Sequence, residues 1–188
     1  MKLSAKDRKG ITPLSLFAGL LVVVTVSVLW LSPFAAPSNM VTAQGTVNIY
    51  LDPPSQTVDP GVTFDVAVRI DAGAQGVAAA DVFINFNPLY LSVVEIVDGT
   101  ALSVLAKNYN NGAGTIDIGA GTLDSPVIGN FVLVTLRLQG KAGTGSTPTE
   151  LAFSFTSPRM TMVKDEFDQN IIGTHTNGQV TITGPTVT

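Results

Sequence analysis

The chain contains no cysteine, one histidine and one tryptophan in 188 residues, and each shortage closes a route. Without cysteine no disulfide can staple the fold and no lipid can be attached through a lipobox, so stability must come from a packed core. Trp30, the single tryptophan, lies in an apolar N-terminal run, which leaves Tyr50, Tyr90 and Tyr109 as the tyrosines available to a sugar platform. His175 stands in Gly173-Thr174-His175-Thr176-Asn177 just before a turn and reads as an exposed loop residue. No Gly-x-Ser-x-Gly elbow accompanies it, so a serine triad is unsupported. Lys141 follows Gly140, but Ala142 takes the place of the Ser or Thr that a phosphate-binding loop needs. No pair of acids is marked out for glycoside hydrolysis, and the chain reads as non-catalytic. Basic charge is scarce as well. From Gln44 onward six Lys and Arg face thirteen Asp and Glu, a net charge of −7 that disfavours nucleic acid and anionic lipid surfaces.

The N-terminus is the exception to that acidity. Residues 1–10 hold four Lys/Arg and one acid, and an apolar run follows over residues 11–31. At helical rise such a run spans about 30 Å, enough to cross a bilayer. Val41-Thr42-Ala43 then offers a signal-peptidase site. The run exceeds the usual length of a signal peptide's apolar core, so a cleaved leader and a retained membrane anchor both stay open. In either case the basic end stays cytoplasmic and the bulk of the chain goes outside, at the cell surface or beyond it. The expected division is residues 1–43 as leader or anchor, 44–183 as one domain, and 184–188 as a polar tail.

After the leader no amphipathic helical repeat occurs. Short apolar alternations recur instead, at 47–51, 63–70, 77–86, 91–97, 115–119, 131–139, 151–155, 159–163 and 179–183, which is the pattern of an all-β sandwich. The cleanest has Phe64, Val66, Val68 and Ile70 alternating with Thr63, Asp65, Ala67 and Arg69. Between them Asp59-Pro60-Gly61, Asn111-Gly112, Gly143-Thr144-Gly145 and Asn177-Gly178 supply turn chemistry. An Asn87-Pro88 corner joins two of the best runs, because proline fixes its own φ and keeps the residue before it out of the helical region. On one side of that corner Val82, Ile84 and Phe86 point to the core while Asp81, Phe83 and Asn85 point away. On the other, Leu91, Val93, Glu95 and Val97 share a face.

Three groups of residues are candidates for binding. Asp81, Phe83 and Asn85 set an aromatic between polar groups on one sheet face, a composition that suits a protein interface. The competing reading packs Phe83 beneath a neighbouring element and leaves Asp81 simply solvated. Tyr109, among Asn108, Asn110 and Asn111, reads as a loop that can hydrogen-bond sugar hydroxyls, with an ordinary polar turn as its alternative. Asp165, Glu166, Asp168 and Asn170 bring oxygen ligands together as a structural calcium would require, although the spacing is not that of an EF-hand and a solvated acidic loop fits the same residues. No other cofactor is implied.

Several of these segments, taken in order, resemble the cohesin domain family. Asp59-Pro60-Gly61 with Phe64 and Val66 is similar to the family's Pro-Gly entry to its second strand, and Gly76-Val77-Ala78 to its Gly-Ile-Ala. Phe86-Asn87-Pro88 with Leu91 resembles its aromatic-Asp/Asn-Pro-x-x-Leu corner. Asn108-Tyr109-Asn110-Asn111 followed by Gly114-Thr115-Ile116 resembles the turn and strand after its variable loop, Gly129-Asn130-Phe131 through Leu136 one later strand, and Asn177-Gly178-Gln179-Val180-Thr181-Ile182 its closing strand. The resemblance covers about 140 residues. It implies a nine-stranded jelly-roll sandwich that binds a dockerin-like protein module on one flat sheet face, in the service of polysaccharide degradation. A carbohydrate-binding or adhesive surface module is the neighbouring alternative. The family's polar pair on the third strand falls at Ala79 and Asp81, so the carboxylate is kept and the asparagine is replaced by alanine.

Overall fold

The computed structural model describes residues 46–184, so the leader, its expected helix and the last four residues lie outside the described residues. Fourteen strands fill the described part: β1 (Val47–Asp52), β2 (Ser55–Val58), β3 (Thr63–Asp71), β4 (Ala79–Phe86), β5 (Leu91–Asp98), β6 (Ser103–Asn110), β7 (Thr115–Gly121), β8 (Asn130–Gly140), β9 (Thr149–Phe153), β10 (Phe155–Thr156), β11 (Arg159–Met160), β12 (Met162–Lys164), β13 (Ile172–Thr176) and β14 (Gly178–Ile182). Twelve of them form two sheets, and β10 and β11 pair with each other as a separate hairpin. The first runs β13-β1-β3-β8-β5, and the second β2-β14-β9-β4-β7-β6 with β12 also paired to β4.

Alternation explains the layers. In β3 the residues Phe64, Val66, Val68 and Ile70 are buried, and in β4 Ala80, Val82, Ile84 and Phe86 are. These two faces meet across the sandwich with Ile49, Leu136, Leu138, Ile116, Ile118, Leu151 and Ile182 between them, all buried. Each such side chain contributes about 1.5–3 kcal/mol by leaving water. The described residues 46–184 make one compact unit around this single core, as a chain with no disulfide requires.

Seven of the nine stretches expected from the sequence lie on single strands, whereas 151–155 is broken at Ser154 and 159–163 at Thr161, where a short hairpin leaves the sheet; the other differences from expectation are local. β2, β6 and β13 escaped notice because they are largely polar edge strands whose outward residues carry no apolar alternation. His175 therefore stands on β13 rather than in a loop, its ring 4.6 Å from that of Phe155. The expected face Leu91, Val93, Glu95, Val97 breaks at Val93: the register against β8 slips between Val93 and Glu95, making Val94 an inserted residue. Ile96 is buried in place of Val97 as a result. Such bulges flip every later side chain to the other face.

The turn before β7 is built by asparagine. Asn110 Oδ1 accepts the N–H groups of Gly112 and Ala113 at 2.9 and 3.0 Å, and Gly114 closes it at φ 69° against the backbone of Phe86. Asn111 reaches across to β5, where its Oδ1 accepts Val93 N–H at 2.7 Å and its Nδ2 donates to Val93 O at 2.9 Å. Side chains of β6 continue along that edge. Lys107 Nζ donates to Ile96 O and Tyr109 Oη to Val94 O, at 3.0 and 3.4 Å. The open edge of β5 is thus capped by side chains instead of a further strand, which blunts its capacity for stray pairing.

Candidate functional site

The solvent face of the second sheet, over β4, β7 and β6, gathers the chemistry. Since Val82, Ile84 and Phe86 face the core, Asp81, Phe83 and Asn85 face outward from β4, as the alternation predicts. On the neighbouring β7 the same face carries Asp117, Gly119 and Gly121, because Ile116, Ile118 and Ala120 are buried. The register sets Asp81 opposite Gly119 and Phe83 opposite Asp117.

The three residues of β4 have different surroundings. Beside Phe83, β9 gives way to β12 as the partner of β4, and Thr161 plugs the gap. Its hydroxyl accepts Phe83 N–H and donates to Phe83 O, both at 3.1 Å. Thr161 is fully buried. The residues between Ser154 and Thr161 form the β10–β11 hairpin, which brings Arg159 back over the sheet. Arg159 Nε and Nη2 donate to Asp117 Oδ1 at 2.9 and 2.7 Å, and Nη1 donates to Asn85 Oδ1. Its guanidinium carbon lies 5.6 Å from the Phe83 ring centroid, a cation–π contact. Phe83 is therefore half-buried against the hairpin's arginine, in the direction of its competing reading, while Asn85 stays exposed beside Arg159. Asp81 remains without a hydrogen-bond partner among the described residues.

Asp81 opens onto a groove that alternation alone does not reveal. It is about 810 Å³ in volume, floored by Ala79, Ala106, Gly119 and Gly121 and bounded by Leu105 and Leu123. Leu105 is 77% exposed because it is the inserted residue of a second bulge, between Val104 and Ala106 of β6. A smaller hollow of about 250 Å³ continues from Asp81 past Phe83 to Lys107 and Asp117. Small residues on the floor and two exposed leucines at the rim make an apolar strip that two carboxylates, Asp81 and Asp124, also line. The sequence signals for it were weak: two glycines two residues apart in β7 and a leucine out of phase in β6.

The other two candidate groups fall elsewhere. Tyr109 lies on β6, not in a loop, and its hydroxyl points to the β5 edge. The acidic stretch after β12 is a hydrogen-bonded turn that uses its own oxygens. Asp165 Oδ1 accepts the N–H groups of Phe167 and Gln169, both at 2.9 Å. Asn170 Oδ1 accepts from Val163 and Ile172, at 3.3 and 3.4 Å, and Asp168 is paired with Lys164 at 2.7 Å. That hydrogen bond to Asp168 raises the Lys164 pKa above 10.5, against the desolvation of the ammonium and with help from the charges of Asp168 and Asp81. Among the described residues no group of three His, Cys, Asp or Glu side chains is placed to hold a metal ion; the expected oxygen cluster serves the turn.

Comparison with known proteins bears on the whole unit. Residues 39–182 match the cohesin domain family. Among solved structures, the chain is similar to the cohesin of the type I Coh-OlpC–Doc435 cohesin–dockerin complex from Clostridium thermocellum, with 13% identity and a TM-score of 0.63 over 75% of this chain and 96% of that one. It is similar also to the cohesin CaCohA2 from Clostridium acetobutylicum, at 20% identity, TM-score 0.61, and 76% and 94% of the two chains. A non-cellulosomal cohesin from the hyperthermophilic archaeon Archaeoglobus fulgidus aligns at 15% identity and TM-score 0.59, over 73% and 91%. At such identities the likeness speaks for the fold. No curated protein matches the sequence.

Proposed function

The chain belongs to the cohesin domain family, and from that premise we propose that residues 44–183 act outside the cell as a receptor for a dockerin-type protein module. Cohesin domains are binding modules without catalysis, so the chain is not an enzyme. One observation carries the choice of face: Asp81, with no hydrogen-bond partner among the described residues, at the end of the Leu105–Leu123 groove. An apolar strip beside a carboxylate that makes no hydrogen bond among the described residues suits a helix that offers an apolar side chain beside a hydroxyl or a basic group. The C. thermocellum cohesin of the same fold was solved with a dockerin, which supports this class of partner. Export is read from the basic residues 1–10 and the apolar run at 11–31, which either anchors the receptor at the surface or is removed.

The test is titration calorimetry of residues 43–188 with a panel of purified dockerin modules. A module that binds the wild type should lose at least about tenfold in affinity to Asp81→Asn and to Leu105→Ser, as hot-spot truncations do. Unchanged affinity in both variants, or no binding by any module, overturns the reading. Polysaccharide attachment is the second reading. It is favoured by a cleft of about 410 Å³ at one end of the sandwich, lined by Asn87, Tyr90, Ser146, Thr147 and Glu150 among others; saturable binding of a soluble glycan that Tyr90→Ala abolishes would establish it.

A further inference from the structure

The same sheet face holds a second, finished site that the chain fills itself. Arg159 Nη2 donates not only to Asp117 Oδ1 but also to the carbonyl oxygens of Ile84 and Ile116, each at 3.1 Å. With Asn85 Oδ1 below Nη1 and the Phe83 ring beneath the guanidinium plane, the acceptors come from two core strands of the sheet. The acceptors stand on two strands paired along their length in the middle of the sheet. The donor side is not built that way: Arg159 rides on a hairpin whose strands are two residues each, and which leaves the sheet at Ser154 and rejoins it at Thr161. Phe155 and Met160, paired across that hairpin, are 38% and 40% exposed. The Arg159 and Asp117 side chains keep 25% and 40% of their surface open to water, so the pair is reachable from solvent.

We propose that Asp117, Asn85, Phe83 and the carbonyls of Ile84 and Ile116 form a receptor for an arginine side chain of the protein partner, held closed in the free protein by Arg159. The chemistry selects the ligand. A planar guanidinium alone can donate to a carboxylate, an amide oxygen and two carbonyls at once while stacking on an aromatic ring; a lysine ammonium has too few donors and no plane. An incoming arginine re-forms the contacts that Arg159 gives up, so the exchange costs little in bonding, and the hairpin that swings away offers Phe155 and Met160 to the same partner. In this arrangement a partner without arginine is confined to the Asp81–Leu105–Leu123 half of the face. The inference rests on that face being the partner surface, and the experiment separates the two.

Residues 43–188 carrying Arg159→Ala are titrated with ethylguanidinium chloride in the low millimolar range, with ethylammonium chloride as control, and followed by amide NMR and thermal melts. A preformed receptor predicts saturable shifts at the Phe83 and Asp117 amides and a melting temperature raised by ethylguanidinium at least twice as far as by ethylammonium. Wild type and Arg159→Ala/Asp117→Asn should show neither effect. If Arg159→Ala does not give a native spectrum, Arg159→Gln keeps the aliphatic stem over Phe83 and serves in its place. Equal responses to the two cations in a natively folded variant overturn the receptor. The dockerin arm reads the face independently: a module that binds through arginine should gain about tenfold in affinity for Arg159→Ala. Saturable ethylguanidinium binding with no dockerin binding removes the partner face while the receptor stands, and dockerin binding without any ethylguanidinium response removes the receptor alone.

Discussion

Thr161→Val tests the joint on which the outer face is assembled. The side chain is fully buried, and its hydroxyl fills the place of a backbone group between β9 and β12 by accepting from Phe83 N and donating to Phe83 O. Valine keeps nearly the same outline but can do neither. Phe83 O retains Ser154 N–H at 2.8 Å, so its loss is small. Phe83 N–H is left inside the sheet with no acceptor, and a loss of about 2–3 kcal/mol, the upper part of the range for such a group, is expected. For a domain of this size that lowers the melting temperature by about 6–12 °C, and urea unfolding should give a lower midpoint at unchanged slope. Thr161→Ser is the control: it keeps the hydroxyl and gives up one buried methyl, about 0.8 kcal/mol. Amide hydrogen exchange adds a local readout, since Phe83 should exchange faster in the valine variant and at the wild-type rate in the serine one. A valine variant within about 0.5 kcal/mol of wild type, or a serine variant as damaged as the valine one, would refute the argument that the hydroxyl holds the joint.

Two further outcomes follow from the turns. Gly114→Ala should destabilise by about 2 kcal/mol or more in urea, because the position has φ 69° and a Cβ there would stand 2.1 Å from Phe86 O. The Lys164–Asp168 pair should matter only in alkali. The lysine's folded-state pKa lies above its ordinary 10.5, so the stability it contributes is fully present below 10.5 and is lost as pH rises through the higher folded-state value. Melts of wild type and Lys164→Met should therefore differ at neutral pH and converge in that alkaline range. A difference that persists at the alkaline end would place the lysine's contribution in its packing.

The fold was legible wherever a strand has one wet and one dry face. Phe64, Val66, Val68 and Ile70 announce β3 because each second residue must leave water, and Asn87-Pro88 announces the corner because proline cannot continue a strand or a helix there. Strands at the margins give no such signal. β6 carries Lys107, Asn108, Tyr109 and Asn110, residues equally at home in a loop, and what makes it a strand is a ladder to β7 that only the folded chain supplies. Asp165, Glu166, Asp168 and Asn170 are ambiguous in sequence for a related reason: closely spaced oxygens suit a cation and a hydrogen-bonded turn alike, and in the fold backbone N–H groups and Lys164 reach Asp165 and Asp168.

The candidate site was half legible, and the missing half has one physical origin. Alternation fixes which way a side chain points only while two strands stay in step. It put Asp81, Phe83 and Asn85 on one face correctly, and it failed where a residue is inserted: at Val94, which exchanges Ile96 for Val97 in the core, and at Leu105, which is pushed onto the sheet surface. Leu105 is a rim of the groove, and Val94 supplies the carbonyl that takes Tyr109, so the errors of phase coincide with the features that shape the surface. Arg159 was out of reach for another reason. It lies 42 residues from Asp117 and 74 from Asn85 along the chain, and nothing in a local pattern says that a short hairpin will fold its arginine over those two. A sandwich core tolerates many sequences of the right polarity, whereas a binding face is defined by inserted residues and long-range side-chain contacts. Two chains of this family can therefore share every buried alternation and still present different surfaces, one with the guanidinium site closed by its own arginine and one with it open.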